Sequence, residues 1–217
     1  MSSVETTVYL IRHGERSDCI EDCVIDYEGD PPLTDYGKKQ AKLAGQALSD
    51  TDAAIIYTSP FLRCVQTART LAQGFGKPCQ ICLCTSLGEF ICRPWVSKQP
   101  ILHPLDFLQQ ECPGLQGVIE ELPQFEEATM DAVQRVCDTI KKLAKEHHGK
   151  TIILVTHGQG IQSAVEWLSG DELYEIPYAS ITKLVKEDDC WSCAIAARAS
   201  HWQSAASSPE STSHNDI

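Results

Sequence analysis

No stretch of this sequence approaches the roughly 18 uninterrupted apolar residues that a membrane-spanning helix requires. The N-terminal MSSVETTVYLIRHGER also lacks a basic segment followed by an apolar run and a small-residue cleavage site. The expected setting is therefore cytoplasmic. Basic side chains are scarce too, with 18 Lys and Arg against 30 Asp and Glu and a formal net charge of −12. Such a chain lacks the basic face that a nucleic acid or an anionic membrane demands, so neither is expected as a partner. Any anionic substrate would need nearby arginines to overcome the field of the whole chain, and this singles out Arg12, Arg16 and Arg63.

Cysteine is plentiful, at eleven residues, but the number is odd, so at least one is unpaired within the chain. Without a secretory signal these residues read as reduced thiols. Cys79, Cys82 and Cys84 could join Cys190 and Cys193 around a zinc ion. The plainer reading is small buried hydrophobes on strands, because no loop-like knuckle surrounds Cys82 and Cys84. No metal is expected.

With 217 residues and 42% hydrophobic content, the chain can fill one sizeable core. We read residues 1–203 as one domain and 204–217, SAASSPESTSHNDI, as a tail too poor in apolar residues to order itself. Residues 6–11 are β-rich and run directly into Arg12-His13-Gly14-Glu15-Arg16, placing that motif at a strand's C-terminal end. Thr34 caps a helix carrying Ala41, Ala44 and Leu48 at helical spacing. Residues 53–57 form a second strand before Thr58-Ser59-Pro60, and the following helix carries Arg63 in its first turn. A third strand over 80–84 leads to Leu87-Gly88-Glu89-Phe90.

Residues 91–122, with prolines at 94, 100, 104 and 113, read as an irregular covering segment and a candidate selector of substrate. A long helix over 126–147 precedes the apolar strand 151–155, which ends at Thr156-His157-Gly158. A helix over 161–168 and a hairpin from 180–185 and 191–197 complete the domain. This alternation predicts an α/β fold, a three-layer α/β/α sandwich with a mostly parallel sheet. Ligands of such sheets lie beyond the strands' C-terminal ends, where Arg12 and His13, the Ser59 to Arg63 turn, Glu89 and His157 all fall.

Transfer of a phosphoryl group needs a nucleophile, charge stabilisation and a proton for the leaving alkoxide. A neutral His13 can be the nucleophile, giving a phosphohistidine while a backbone carbonyl holds its other nitrogen. Arg12, Arg16 and Arg63 offer forks that match phosphate oxygens, and His157 can donate to a phosphoryl oxygen. Glu89 would be the proton donor and then the base that activates water. Each residue also has a blander reading: a strand-end His is usually satisfied by its loop, a first-turn Arg is usually solvated, and Glu15, Glu21 and Glu28 compete with Glu89. His103, His147, His148, His201 and His214 lack the strand-end context and read as surface or loop residues. The isolated Gly158-x-Gly160 reads as a strand-to-helix turn.

The stretch Leu10-Ile11-Arg12-His13-Gly14-Glu15-Arg16, with Ser59-Pro60 before Arg63 and Val155-Thr156-His157-Gly158, resembles the histidine phosphatase (phosphoglycerate mutase-like) superfamily. Asp30-Pro31-Pro32-Leu33-Thr34, the segment from Ser59 to Ala68, and Leu87-Gly88-Glu89-Phe90 are most similar to the phosphatase domains of suppressor of T-cell receptor signalling proteins. The resemblance covers about residues 6–200. It implies the same α/β sandwich without metal or other cofactor, a phosphomonoester substrate, and catalytic roles for Arg12, His13, Arg16, Arg63, Glu89 and His157. Those relatives carry ubiquitin-associated and SH3 domains ahead of the phosphatase, and no such segment precedes residue 6 in this sequence, so their tethered signalling role does not carry over. Mutases of the family tend to have Asn a few residues past the first motif, where this chain has Ser17-Asp18-Cys19, which ranks phosphatase above mutase. The expected substrate is an aryl phosphate, phosphotyrosine or a small phosphometabolite. The alternatives are a phosphoglycerate-type mutase or a catalytically quiet phospho-ligand binding protein, and a homodimer stays open.

Overall fold

A computed structural model describes residues 4–19 and 27–202. The predicted tail, Glu21 and His214 lie outside the described residues. Six strands form one sheet in the order β3-β2-β4-β1-β5-β6, where β1 is Glu5–Arg12, β2 Ile55–Thr58, β3 Gln80–Leu83, β4 Thr151–Thr156, β5 Ile181–Glu187 and β6 Cys190–Arg198. The first four strands are mutually parallel, and β5 and β6 are antiparallel additions at one side. Strand β4 sits inside the sheet and buries both its faces, which is why its sequence TIILVT is apolar almost without alternation.

Helices cover both sides. Leu10 of β1 and Leu154 of β4 pack with α4 (Thr129–Glu146) and α5 (Gly158–Ser169), whereas Ile11 and Val155, one residue on, pack with α1 (Asp35–Ala47) and α2 (Leu62–Phe75). The strand period of two thus feeds two cores, and the three-layer α/β/α sandwich follows. Among the described residues no helix is long and apolar enough to cross a membrane.

Thr34 is the N-cap of α1, its Oγ1 accepting from Gly37 N at 2.8 Å. Helices α1 and α2 touch through glycines. A Cβ on Gly45 would lie 2.0 Å from Leu71 O, and one on Gly74 would lie 2.0 Å from Lys42 O. This contact, in the C-terminal half of α2, holds against α1 the helix whose first turn carries Arg63.

The covering segment is less irregular than its prolines suggest. Residues Leu105–Glu111 form α3, whose Leu108 joins Cys112, Leu115 and, from α2, Leu62 and Val65 in a third apolar cluster. Pro104 is the N-cap and Pro113 follows the end, so these prolines bound the helix without interrupting it. The zinc reading fails on topology: Cys82 lies on β3 and Cys190 and Cys193 on β6, at opposite edges of the sheet. His103 is buried, not superficial, because Tyr27 and Phe107 stack on either side of it at 3.9 and 4.5 Å. His147 is likewise engaged, with Tyr57 Oη 2.9 Å from its Nε2, and His201 Nε2 lies 3.0 Å from Ala179 O.

Candidate active site

Strands β1 and β4 are adjacent and parallel with Arg12 opposite Thr156, so the residues that follow them, His13 and His157, emerge side by side. Their ring centroids are 5.4 Å apart, and His13 N donates to Thr156 O at 3.1 Å. The loop after His13 is pinned to the α1–α2 layer: Gly14 N donates to Thr67 Oγ1 at 3.0 Å, and Glu15 N to Gln40 Oε1 at 3.0 Å. A Cβ on Gly14 would fall 2.4 Å from Gly37 O, so only glycine lets the loop lie this close to the helix.

His13 is 2% exposed, and its Nδ1 lies 2.8 Å from Gly14 O. A carbonyl can only accept, so Nδ1 carries the proton and Nε2 keeps its lone pair. Burial pushes the His13 pKa well below the usual 6.5, and the charges of Arg63, His157 and Arg12 push the same way. The ring is neutral at physiological pH.

His157 is fully buried, and burial together with Arg63 lowers its pKa to about 4 against the opposing pull of Glu89. Ser59 Oγ is 2.9 Å from its Nε2, and Glu89 Oε2 is 3.2 Å from its Nδ1. The Glu89 carboxylate can only accept, which assigns the ring proton to Nδ1 facing it and leaves Nε2 to accept from the Ser59 hydroxyl; Arg63 Nη2, 3.2 Å from the same Nδ1, then gives its hydrogens to the carboxylate. Arg63 Nη2 approaches the same carboxylate oxygen at 3.5 Å. Burial alone would raise the Glu89 pKa, but His157 and Arg63 outweigh it and hold the group at about 2.

Arg63 is 2% exposed; its Nη1 donates to Gly29 O at 3.3 Å and lies 3.9 Å from Asp30 Oδ1. Arg12 donates through Nη1 to Ile176 O and lies 4.1 Å above the Tyr178 ring. The Nε atoms of both arginines are buried with no hydrogen-bond partner among the described residues. Arg16 forks Asp18, Nε to Oδ1 and Nη2 to Oδ2, each at 2.8 Å. All three guanidiniums border one cleft. A cavity of about 290 Å³ is lined by Arg12, His13, Arg16, Glu89 and Trp95, and a neighbouring one of about 280 Å³ shares Arg16, Glu89 and Trp95 and adds Arg63. Helix α5 begins at Gly158 on the cleft wall, so its positive end adds to the field.

His13, Glu89 and His157 each offer a ligand atom, all within 4.8 Å of one another. Three guanidiniums around this group repel a dication and favour an anion, and Arg63 already occupies the space beside His157 and Glu89.

The structure therefore brings together all six residues singled out from the sequence. Of the competitors of Glu89, it engages Glu15, which accepts from the capping Thr34 Oγ1 at 2.9 Å, whereas Glu28, paired with Lys98, lines the neighbouring cavity with Arg63 and Glu89. It adds residues to which sequence reasoning gave no role. Asp30, fully buried, accepts from Leu62 N at 2.7 Å and His103 N at 3.3 Å and stands behind Arg63. Burial raises its pKa to about 6, against the opposing pull of Arg63. Arg135 forks Glu127 at 2.8 Å through two nitrogens and donates to the carbonyls of Ser86, Gly88 and Glu89, fixing the backbone that carries Glu89. Asp30 and Ser59 lay inside motifs already noted; nothing in the spacing pointed to Arg135.

Comparison with known proteins bears on the family and the fold. The chain is 25% identical over 234 residues to the ecdysteroid-phosphate phosphatase of Drosophila melanogaster, covering 85% of this chain and 31% of that protein. It is 39% identical over 156 residues to ubiquitin-associated and SH3 domain-containing protein B of Mus musculus, covering 67% of this chain and 24% of that protein. It thus spans about a third or less of these relatives' lengths. The fold superposes on Bacillus stearothermophilus YhfR with a TM-score of 0.69 at 24% identity, covering 90% of this chain and 98% of that one. The sequence model of the histidine phosphatase superfamily, branch 1, matches residues 8–197, and the chain belongs to that family.

Proposed function

We propose that this chain hydrolyses phosphomonoesters through a phosphohistidine on His13, without a metal. The observation that carries the reading is the buried, neutral His13 ring, with Nδ1 held by Gly14 O, Nε2 unprotonated, and Arg12, Arg16 and Arg63 bordering the same cleft.

His13 Nε2 attacks phosphorus in line with the ester oxygen; the P–N bond forms as the P–O bond breaks. Arg12, Arg16 and Arg63 neutralise the phosphoryl oxygens. His157 Nδ1–H and Arg63 Nη2 converge on Glu89 Oε2, and a phosphoryl oxygen competes for the same two donors. As they turn to the phosphate, Glu89 loses the partners that hold its pKa near 2 and gains a negative neighbour, so it takes up a proton from solvent. That proton goes to the departing alkoxide. In the second step Glu89, again a carboxylate, removes a proton from water; the oxygen attacks phosphorus, the P–N bond breaks, and His13 returns neutral.

The ecdysteroid-phosphate phosphatase relative supports a substrate with an alcohol leaving group. A cytoplasmic setting is supported by the free state of all ten described cysteines.

The test is hydrolysis of para-nitrophenyl phosphate by wild-type and His13→Ala protein in EDTA, with acid-labile phosphate trapped on the wild-type chain. Activity that survives EDTA and disappears with His13 is expected. Inactivity of both proteins would turn attention to a mutase or a quiet phospho-ligand binder.

A further inference from the structure

On the sheet face covered by α4 and α5, away from the cleft, lies a cavity of about 690 Å³ that the proposed chemistry does not use. Three walls enclose it: α4 with Lys141 and Lys145 and the turn after it with His148, the end of α5 with Trp167, and the β5–β6 hairpin with Lys186 and Trp191. Trp191 and Leu168 pack on the core and form a fixed apolar floor, whereas Trp167 stands at the lip, 56% exposed.

The charge of this pocket runs against that of the chain. In a protein of net charge −12, three of the 18 basic side chains border one cavity, where Asp189 is the one acid in the lining. The existing neutralisation is weak: Lys141 reaches Asp138 at 3.5 Å, Lys186 donates to Asp188 O and reaches the Asp189 carboxylate only at 4.0 Å, and Lys145 has no ion-pair partner among the described residues. Two indoles beside unsaturated ammonium groups suit a flat ring bearing a negative charge, because the ring stacks on indole while the charge meets lysine. The volume lies within the range of small-molecule sites, and walls on three sides suit a compact ligand better than an extended chain.

We propose that this pocket binds a small planar aromatic anion, an aryl carboxylate or sulfonate, independently of the His13 cleft. The probe is 1-anilinonaphthalene-8-sulfonate, titrated by fluorescence into the full chain with inorganic phosphate saturating the His13 cleft. Its uncharged counterpart N-phenyl-1-naphthylamine is the control. The sulfonate should bind once per chain and more tightly than the neutral dye. Lys145→Glu with Lys186→Glu should weaken the sulfonate at least about tenfold while changing the neutral dye less than about twofold. Trp167→Ala should weaken both about tenfold. Lys145 and Trp167 are exposed and Lys186 is partly buried, and unchanged thermal unfolding of the variants verifies that the fold is kept.

Sulfonate binding that ignores all three substitutions, or a neutral dye that binds equally well, overturns the proposal. So does self-association abolished by Trp167→Ala, which would mean that a second copy covers the pocket. Displacement of the dye by an acidic tryptophan-containing peptide at lower concentration than by naphthalene sulfonate would also overturn it, in favour of a protein partner.

Discussion

The floor of the cleft and its rim are built on different principles. On the floor, His13, His157 and Arg63 are buried and Glu89 nearly so; all follow strand ends or a helix start, Arg63, His157 and Glu89 constrain one another through contacts of 3.2 to 3.5 Å, and His13 is held by Gly14 O at 2.8 Å. At the rim, Trp95 is 45% exposed, Tyr174 is 80% exposed, and Arg16 is occupied by Asp18 two residues along the same turn. The floor is preorganised, which is where electrostatic catalysis gains most; the rim is free to adjust to what is attached to the phosphate. Substitutions on the floor should therefore act on turnover, and substitutions at the rim on affinity and selection.

The largest expected effect is that of His13→Ala. Without the nucleophile, kcat for para-nitrophenyl phosphate should fall at least about 10⁴-fold while the fold persists. A loss under tenfold would place the nucleophile elsewhere and dissolve the distinction. Glu89→Gln comes next, with a fall of about 10²- to 10⁴-fold for an alkyl phosphate that needs a protonated leaving group. In the first step, read as the burst of para-nitrophenol, the same variant should lose far less, because that leaving group needs no proton; the second step, which uses Glu89 as base, should slow for both substrates. Equal losses in the first step with both substrates would mean that Glu89 positions the site and does not protonate the leaving group.

The floor should also be audible in stability. His157 titrates at about 4 when folded and at 6.5 when unfolded, so on acidification the unfolded chain takes the proton first. Its contribution is complete above pH 6.5 and is lost as pH falls to about 4, a change of about 3 kcal/mol at about 1.4 kcal/mol per pH unit. His13, also lowered, acts in the same direction. Asp30, raised to about 6, acts in the opposite one: its folded state holds the proton longer, so between pH 6 and about 4 acidification relieves its cost. Two histidines against one carboxyl leave a net loss. Urea midpoints measured from pH 7 to 4.5 should fall for wild type and fall less for His157→Gln; parallel curves would refute the assignment of this slope to the floor.

The same division accounts for what could be read from the sequence. The strands that end at His13 and His157 are short apolar runs bounded by polar motifs, so their ends, and with them the floor, were legible from local pattern. Helix α3 was hidden because Pro104 and Pro113 look like breaks when their positions relative to a helix end are unknown. His103, read as a surface or loop residue, does lie in a loop, but its burial was missed because the rings that cover it come from Tyr27 and from α3. Asp30 and Arg135 serve residues 33 and 46 positions away or more, counted to Arg63 and Glu89, and no spacing rule reaches that far. Roles that depend on a local strand end are readable; roles that depend on a distant partner are not.

The smallest expected effect tests the rim most directly. Arg16 offers its fork to Asp18 at 2.8 Å through both Nε and Nη2, the same geometry that it would offer a phosphate. Both side chains are partly exposed, so solvent screens the pair and limits its worth to about 1 kcal/mol. If Asp18 acts as a placeholder that substrate must displace, Asp18→Ala removes a competitor and should lower KM by up to about fivefold with kcat nearly unchanged. If Asp18 instead aims Arg16 at the phosphate, the same substitution raises KM. Repeating the comparison at high salt separates the two: screening weakens the Arg16–Asp18 pair in wild type, so a competitor's effect shrinks as salt rises. A change in kcat larger than that in KM would move Arg16 from the rim to the floor, and the line between preorganised chemistry and adjustable selection would have to be drawn farther out.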